Sequence, residues 1–514
     1  MQPHKQKPAA QVDSPQINLL ARGATINLLG AGARTSLLFV YTVFLARILP
    51  VDQLGEYFLM FAIINVLAMI ATAGLDYGVV RYVSLFFGEK KLGLVRKTTL
   101  VGLAMGLSVG TVMALGLFLA APWISQRFFG GSALAHNGLQ IFAISIPLWV
   151  AARVFNATTQ GLHKMEYQVY SRDLGEQLSK LGFSVLAVVM GAGLIGIVWA
   201  NVASMVVAMA MSVAFALMII PKDPGPKAVD VKAGKLLLFY SLPLAFTTIV
   251  AILQQNVDMF FLGYLGTSEE VGFYGAAIRV GLVSAAILTA FGTMFAPIIS
   301  DTYNRKKISE LAGMFKTVTR WIFLVTLPLF LVVALFPGFV LKIFGGEFAE
   351  ARGALVILAV AQLIHAGTGL AGMMVMMSGR PKMEFANVAV GLMANTAVCL
   401  IMIPRFGILG AAVANMVSAG VVNALRAIEV WLFMRVHAYD RRSLKPLLAG
   451  ASAAAVILAA NILLPFEPGL LLNGLLVTVL LASYIGVIAA LGLDENDKMA
   501  LRLIKARLLK PSAA

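Results

Sequence analysis

The residues best placed to do chemistry in this chain are charges set inside apolar sequence. Arg34, Arg153, Lys180, Arg279 and Arg426 all fall within long hydrophobic stretches. A charge held in hydrocarbon is costly, so such residues usually face a cavity or a partner. Guanidinium suits an anionic ligand, because its planar fork grips phosphate oxygens bidentately and stays charged at physiological pH. Arg34 lies about halfway along the first apolar stretch, too deep to reach the interface easily. Asn27, Arg34 and Tyr41 recur at seven-residue spacing, which puts them on one helical face. Arg279 shares a face with Thr289 and Thr293, and Arg153 stands one turn from Asn156 and two from Gln160. Arg34, Arg279 and Arg153, with Asn27, Tyr41, Gln254 and Gln255, are the candidate anion site. The alternatives are an arginine that caps a carbonyl or pairs with an acid, and for Arg153 a side chain that snorkels. Lys180 reads as interfacial, near a helix end, and Arg426 as an intrahelical pair with Glu429 three residues on.

Asp258 is the main intramembrane acid, a candidate for binding H+ or Na+; its alternative is to neutralise Arg34 or Arg279. His365 titrates near neutral pH when unperturbed, but a lone His in an apolar helix is more often packed and hydrogen-bonded. No nucleophile, metal cluster or phosphate loop stands out. The single cysteine, Cys399, lies in an apolar run and rules out a disulfide framework or Cys-based metal site. The expectation is a protein with no enzymatic step, no cofactor and no metal.

The elements that position these charges follow from composition. Hydrophobic residues make up 60% of the chain, charged ones 12%, and mean hydropathy is +0.88; a soluble chain carries about a quarter charged residues. Apolar runs of about 20 residues, each long enough to span the hydrocarbon layer, recur from residue 24 to residue 492. The fold class is therefore an all-α integral membrane protein with about fourteen transmembrane helices. The fifth is expected over 177–195, the eleventh over 384–404 and the twelfth over 408–434. Pro147, Pro243, Pro297 and Pro328 fall inside helices, where they allow bends.

An even helix count puts both termini on one side. Thirty of the 40 Lys and Arg fall in the termini and even-numbered loops, against five in the opposite loops. The basic side faces the cytoplasm. That placement also turns a net charge of +16 away from a nucleic-acid reading. The N-terminal tail, 1–23, is polar, carries Pro3, Pro8 and Pro15, and lacks the apolar core of a cleavable signal peptide. Within the C-terminal tail, 493–514, the stretch from Lys498 to Lys510 mixes Leu501, Leu503 and Ile504 with basic residues. It suits an amphipathic helix on the anionic inner leaflet, or a solvated basic tail.

Four stretches recur about 215 residues apart. Gly55 and Tyr57 match Gly272 and Tyr274; Pro122 and Phe129-Gly130-Gly131 match Pro337 and Phe344-Gly345-Gly346. Lys164-Met165-Glu166-Tyr167 matches Lys382-Met383-Glu384-Phe385, and Gly193, Gly196 and Asn201 match Gly407, Gly410 and Asn415. Each repeat holds six helices, an even number, so the halves share one topology and should be related by an axis along the membrane normal. The organisation is two six-helix lobes, 24–220 and 236–434, joined by a cytoplasmic linker, 221–235, with helices thirteen and fourteen appended over 447–492. A two-lobed repeat suits alternating access. Under this repeat Arg34 maps to Ala251 and Tyr41 to Asp258.

Phe44-Leu45-Ala46-Arg47-Ile48-Leu49-Pro50, then Gly55-Glu56-Tyr57, then Gly74-Leu75-Asp76-Tyr77-Gly78 with Arg81-Tyr82-Val83, carry a family resemblance. Through them the chain resembles the polysaccharide-transporter branch of the multidrug/oligosaccharidyl-lipid/polysaccharide flippase superfamily, over essentially residues 20–490. The nearest likeness is to O-antigen and exopolysaccharide repeat-unit flippases. The resemblance implies two bundles forming a V-shaped, cationic central cavity, and a substrate carried on an undecaprenyl-type pyrophosphate lipid in a bacterial inner membrane. It also implies membrane lipids and a polysaccharide polymerase machinery as partners. The rival readings are a lipid II flippase, a cation-coupled multidrug antiporter of the same superfamily and, from another class, a membrane glycosyltransferase or ligase. The last typically needs a large external catalytic loop, and the outer loops here are short.

Overall fold

A computed structural model describes residues 14–220, 231–463 and 469–492, with side chains placed from residue 29 onward except at 231–233, 235, 461, 463 and 470. Residues 1–13 of the expected N-terminal tail, most of the expected linker and the basic stretch from Lys498 to Lys510 lie outside the described residues, as does the side chain of Asn27; residues 14–23 of that tail belong to the first helix.

Among the described residues the chain forms helices and no strands. An α-helix satisfies its own backbone groups, the requirement hydrocarbon imposes. The N-terminal helices are α1 (Ser14–Ile48), α2 (Val51–Thr72), α3 (Leu75–Gly88), α4 (Leu92–Phe128), α5 (Ala133–Ala143) and α6 (Ser145–Gly161). A short α7 (Glu166–Gln168) runs through a π-helical segment, Val169–Gly175, into α8 (Glu176–Val189), and α9 (Gly193–Ile219) follows. Next come α10 (Val231–Leu265), α11 (Ser268–Asn304), α12 (Ile308–Leu335), α13 (Pro337–Leu341), α14 (Arg352–Thr368) and α15 (Ala371–Met377). The 54-residue α16 (Pro381–Met434), α17 (Leu444–Leu463) and α18 (Leu470–Ala490) complete the described part.

Twelve spans in the described residues are long and apolar enough to cross a membrane, against the fourteen expected. Both differences have a local cause. The expected fifth span, 177–195, is the 14-residue α8, which follows the π segment, ends at Val189 and is too short to count among the twelve. The expected eleventh and twelfth are the two arms of α16, which breaks at Gly407 (φ 51°, ψ −124°), a conformation open to a residue without a Cβ.

One pair of turns 216 residues apart has matching backbone angles. Lys90 and Lys306, both non-glycine residues, sit in the left-handed region at φ 57° and 58°. Their neighbours Lys91 and Lys307 precede α4 and α12 with near-identical angles, φ −88°, ψ 65° and φ −86°, ψ 60°.

The chain divides into two compact units, Met1–Arg279 with Val388–Ala414, and Val280–Asn387 with Asn415–Ala514. Lipid tails are as apolar as leucine, so helix association depends on close contact more than on removing surface from water. In the first unit Gly102, Gly106 and Gly110 form a stripe along α4 at four-residue spacing. A Cβ on Gly102 would come 2.8 Å from Val79, and one on Gly106 would come 2.6 Å from Val150. In the second unit α12 packs on α14, α17 and α18, with Leu327, Leu331, Ala453, Ile457 and Leu480 at the centre of one core. Gly106→Val should lower stability by about 1–3 kcal/mol through overpacking. Gly116→Val, at a position with no atom within 4 Å of the added Cβ, should leave it nearly unchanged. Thermal unfolding of the purified protein in detergent measures both.

Candidate functional site

The first unit contains a chain of charged side chains strung across several helices. Its centre is Asp173 in the π segment, a carboxylate whose side chain is 2% exposed. Arg172 Nε donates to its Oδ1 at 3.0 Å, and Arg34 Nε of α1 stands 3.6 Å from the same oxygen. The local fold explains how a seven-residue segment buries Val169, Ser171 and Asp173 together. In a regular α-helix, residues two apart do not share a face. Val169 and Asp173, four residues apart, share one face and Ser171 lies on another, so the segment is packed on more than one side; π-helical segments recur at functional sites. Ser171 uses its buried position to donate to Asn156 Oδ1 of α6 at 2.9 Å.

One carboxylate thus sits between two guanidiniums, and those guanidiniums keep an open side: Arg34 is 42% and Arg172 33% exposed at the side chain. Nε is the atom of Arg34 nearest Asp173, and a guanidinium carries five N–H donors, so a side chain this exposed can still offer donors to an anion. Arg153 and Glu176 are also close enough to act on Arg34 electrostatically. Arg153 Nη1 donates to Asp76 Oδ2 of α3 at 3.0 Å. Arg34 and Arg153 therefore belong to one network, together with two residues, Arg172 and Asp173, that the sequence reading left in a loop. The missed signal is the sequence from Arg172 to Lys180, where six polar or charged residues interrupt an otherwise apolar region.

Other candidates fall into separate settings. Arg279 on α11 lies over the ring of Phe58, 4.3 Å from its centroid, and donates to the Gly275 carbonyl at 3.2 Å. Among the described residues no acid pairs with it. Tyr41 is buried, with its hydroxyl 3.1 Å from Ser184 Oγ and 3.5 Å from the Tyr57 hydroxyl. On α10, Gln254 is half-buried and Gln255 exposed. Asp258 is fully buried and accepts a 2.6 Å hydrogen bond from the Tyr274 hydroxyl. It pairs with neither Arg34 nor Arg279.

Two expectations need correction. Arg426 does not pair with Glu429. Its guanidinium grips both oxygens of Glu384, and Glu429 instead accepts from Asn387 at 2.7 Å. The reversal at Gly407 places the arms of α16 side by side, and a facing carboxylate offers the bidentate geometry that a neighbour three residues along cannot. Lys180 is not interfacial: its side chain is 2% exposed, 3.8 Å from Glu176. His365 is packed and hydrogen-bonded as expected, its Nδ1 2.8 Å from Asn423 Nδ2, and Thr368 donates to Asn423 at 2.7 Å. In the described residues no group of three or more His, Cys, Asp or Glu could hold a metal ion.

This arrangement is a multi-pass membrane bundle with arginine-rich chemistry in its helices, the architecture of a transporter. The fold matches an inward-facing multidrug resistance MATE family transporter of the MOP superfamily with a TM-score of 0.67 and 15% identity. That match covers 80% of this chain and 99% of the other. It matches the lipid II flippase MurJ, in an inward closed conformation, with a TM-score of 0.66 and 15% identity, over 88% of this chain and 98% of that one. The chain belongs to the polysaccharide biosynthesis protein family, which it matches over residues 20–303. Residues 243–404 also match the MatE family. Among characterised sequences, the probable low-salt glycan biosynthesis flippase Agl15 of Haloferax volcanii is 23% identical over 78% of this chain and 80% of its own length. A Shigella flexneri protein named as an O-antigen transporter is 22% identical, over 81% and 98%.

Asp173 is expected to act as the electrostatic keystone of this network. Asp173→Asn should lower stability by about 1–2 kcal/mol, less than a fully buried pair would lose because both arginines are partly solvated. The loss should shrink markedly in an Arg172→Gln background, as a double-mutant cycle by thermal unfolding would show.

Proposed function

We propose that this protein is a flippase that moves a polyprenyl-pyrophosphate-linked oligosaccharide from the cytoplasmic to the outer leaflet of a bacterial inner membrane. The glycan would be a repeat unit of an O-antigen, capsule or exopolysaccharide. The observation that carries the reading is the Arg34–Asp173–Arg172 cluster: intramembrane guanidiniums held in place by an acid, with donors left over. Family membership and the names of the relatives support a glycan-linked lipid as the cargo. The reading is one of transport without covalent chemistry.

In this mechanism the pyrophosphate enters from the cytoplasm and binds Arg34 and Arg172, which already lie on either side of Asp173. Arg153 contributes at the entrance and Arg279 further along, with Asn27, Tyr41, Gln254 and Gln255 as polar contacts to the headgroup. The polyprenyl chain stays in lipid. The repeat-related halves, 24–220 and 236–434, then exchange exposure between the two sides, with both termini in the cytoplasm. The membrane potential assists export of an anion by about 2.3 kcal/mol per charge per 100 mV. Asp258, hydrogen-bonded to Tyr274, is the candidate that takes up H+ or Na+ for the return step. Handover to a polysaccharide polymerase completes the pathway. A lipid II flippase would use the same pyrophosphate chemistry, and the identity of the accumulated lipid separates the two.

Deletion of the gene should leave lipid-linked oligosaccharide on the cytoplasmic leaflet, and the wild-type gene should clear it. Arg34→Ala should lower the flux at least tenfold, Arg34→Lys less, and Arg34→Ala with Arg279→Ala should abolish it. Normal flux in that double variant, present at wild-type level in the membrane, would end the anion-site reading. Export of a cationic dye by the wild type, with no effect on the glycan lipid, would favour the drug antiporter instead.

A further inference from the structure

Two buried polar clusters of the first unit occupy corresponding positions in the repeat, yet they carry different charges. In the N-terminal copy, the Tyr57 hydroxyl accepts from Asn201 Nδ2 at 2.9 Å and lies 3.5 Å from the Tyr41 hydroxyl, which in turn meets Ser184. In the C-terminal copy, the Tyr274 hydroxyl donates to Asp258 and lies 3.4 Å from the carbonyl of Ala411, and Cys399 lies within electrostatic reach of Asp258. Tyr57 and Tyr274 correspond, as do Tyr41 and Asp258, both pairs 217 residues apart. Ser184 and Cys399 correspond at 215, and the same displacement carries Lys180 onto Asn395 and Glu176 onto Gly391.

The exchange of charge is the informative part. The N-terminal copy has a phenol where the other has a carboxylate, and it has its own acid and base one helical turn apart on α8. Glu176 is 8% exposed, accepts from Gln177 at 3.2 Å, and faces Lys180 Nζ at 3.8 Å. The ammonium also lies 5.2 Å from the ring of Phe61 and 5.6 Å from that of Tyr41, faces that favour a cation. In the C-terminal copy the corresponding residue, Asn395, is neutral and fully buried, and its Nδ2 has no hydrogen-bond partner. A buried ammonium is expensive unless it serves an acid. Here it is covalently tethered to the cluster it neutralises.

We propose that Lys180 is a resident counter-cation that permanently fills the N-terminal cluster, so that the chain takes one exchangeable monovalent cation, at the Asp258 cluster alone. The second half of this statement rests on the coupling role proposed for Asp258. The first half does not. Removing the lysine exposes Glu176 as a buried acid with no fixed cation, and that acid then has to recruit one from solution.

The test counts cations on the intact purified protein in detergent, with 22Na+ binding at alkaline pH and proton uptake after a pH jump as parallel probes. The wild type should bind one, and Asp258→Asn none. Lys180→Gln should gain one over the wild type, the gain should vanish in Lys180→Gln with Glu176→Gln, and Lys180→Arg should stay at the wild-type value. No gain in a folded Lys180→Gln protein, judged by its elution and thermal unfolding, overturns the proposal. Two cations on the wild type also overturn it, and that measurement needs no variant to fold. No cation on the wild type but one on Lys180→Gln would remove the role of Asp258 and uphold that of Lys180.

Discussion

A carboxylate sealed inside a membrane bundle needs a cation, and Asp173 has two. With its side chain almost wholly buried and Arg34 and Arg172 on either side, it joins α1 to the π segment and sets where both guanidiniums stand. A buried carboxylate is costly without a cation beside it, and here two guanidiniums supply one. The candidate anion site is therefore a by-product of solving a burial problem. Two positive charges are needed to hold one negative charge in a geometry that leaves donors facing outward.

The same constraint is met differently elsewhere in the molecule. Arg153 answers Asp76, and Glu384 answers Arg426 across the arms of α16. Lys180 and Glu176 answer each other within one helix. Arg279 lies on an aromatic ring and a backbone carbonyl, which makes it the candidate cation least committed to a partner acid. The arginines thus fall into two kinds, those placed by acids and one seated on an aromatic ring and a carbonyl.

The repeat gives these pairs their functional meaning. Duplication places equivalent residues in equivalent surroundings, so later divergence shows up as a change of charge at a fixed location. Tyr41 against Asp258 and Lys180 against Asn395 are two such changes, on helices that the repeat relates. Each swap is individually unremarkable in a membrane helix. Together they put a lysine beside an acid in one copy and a lone carboxylate against a tyrosine in the other.

Composition and periodicity were enough to recognise a helical membrane protein and to single out Arg34 and Arg153. Those properties are legible because hydropathy and Lys/Arg placement act residue by residue along the chain. The partner of each charge was not legible. Starting the fifth helix at residue 177 left Arg172 and Asp173 in a loop, because a π turn has no hydropathy signature and lies where the sequence turns polar. Arg426 was assigned to Glu429 because that acid is near in sequence, whereas the reversal at Gly407 brings up Glu384 from 42 residues away. Sequence alone therefore determined which charges enter the membrane. Only the tertiary structure decided which acid meets which base, because that choice depends on helix register and on a few angles at Gly407 and the π segment.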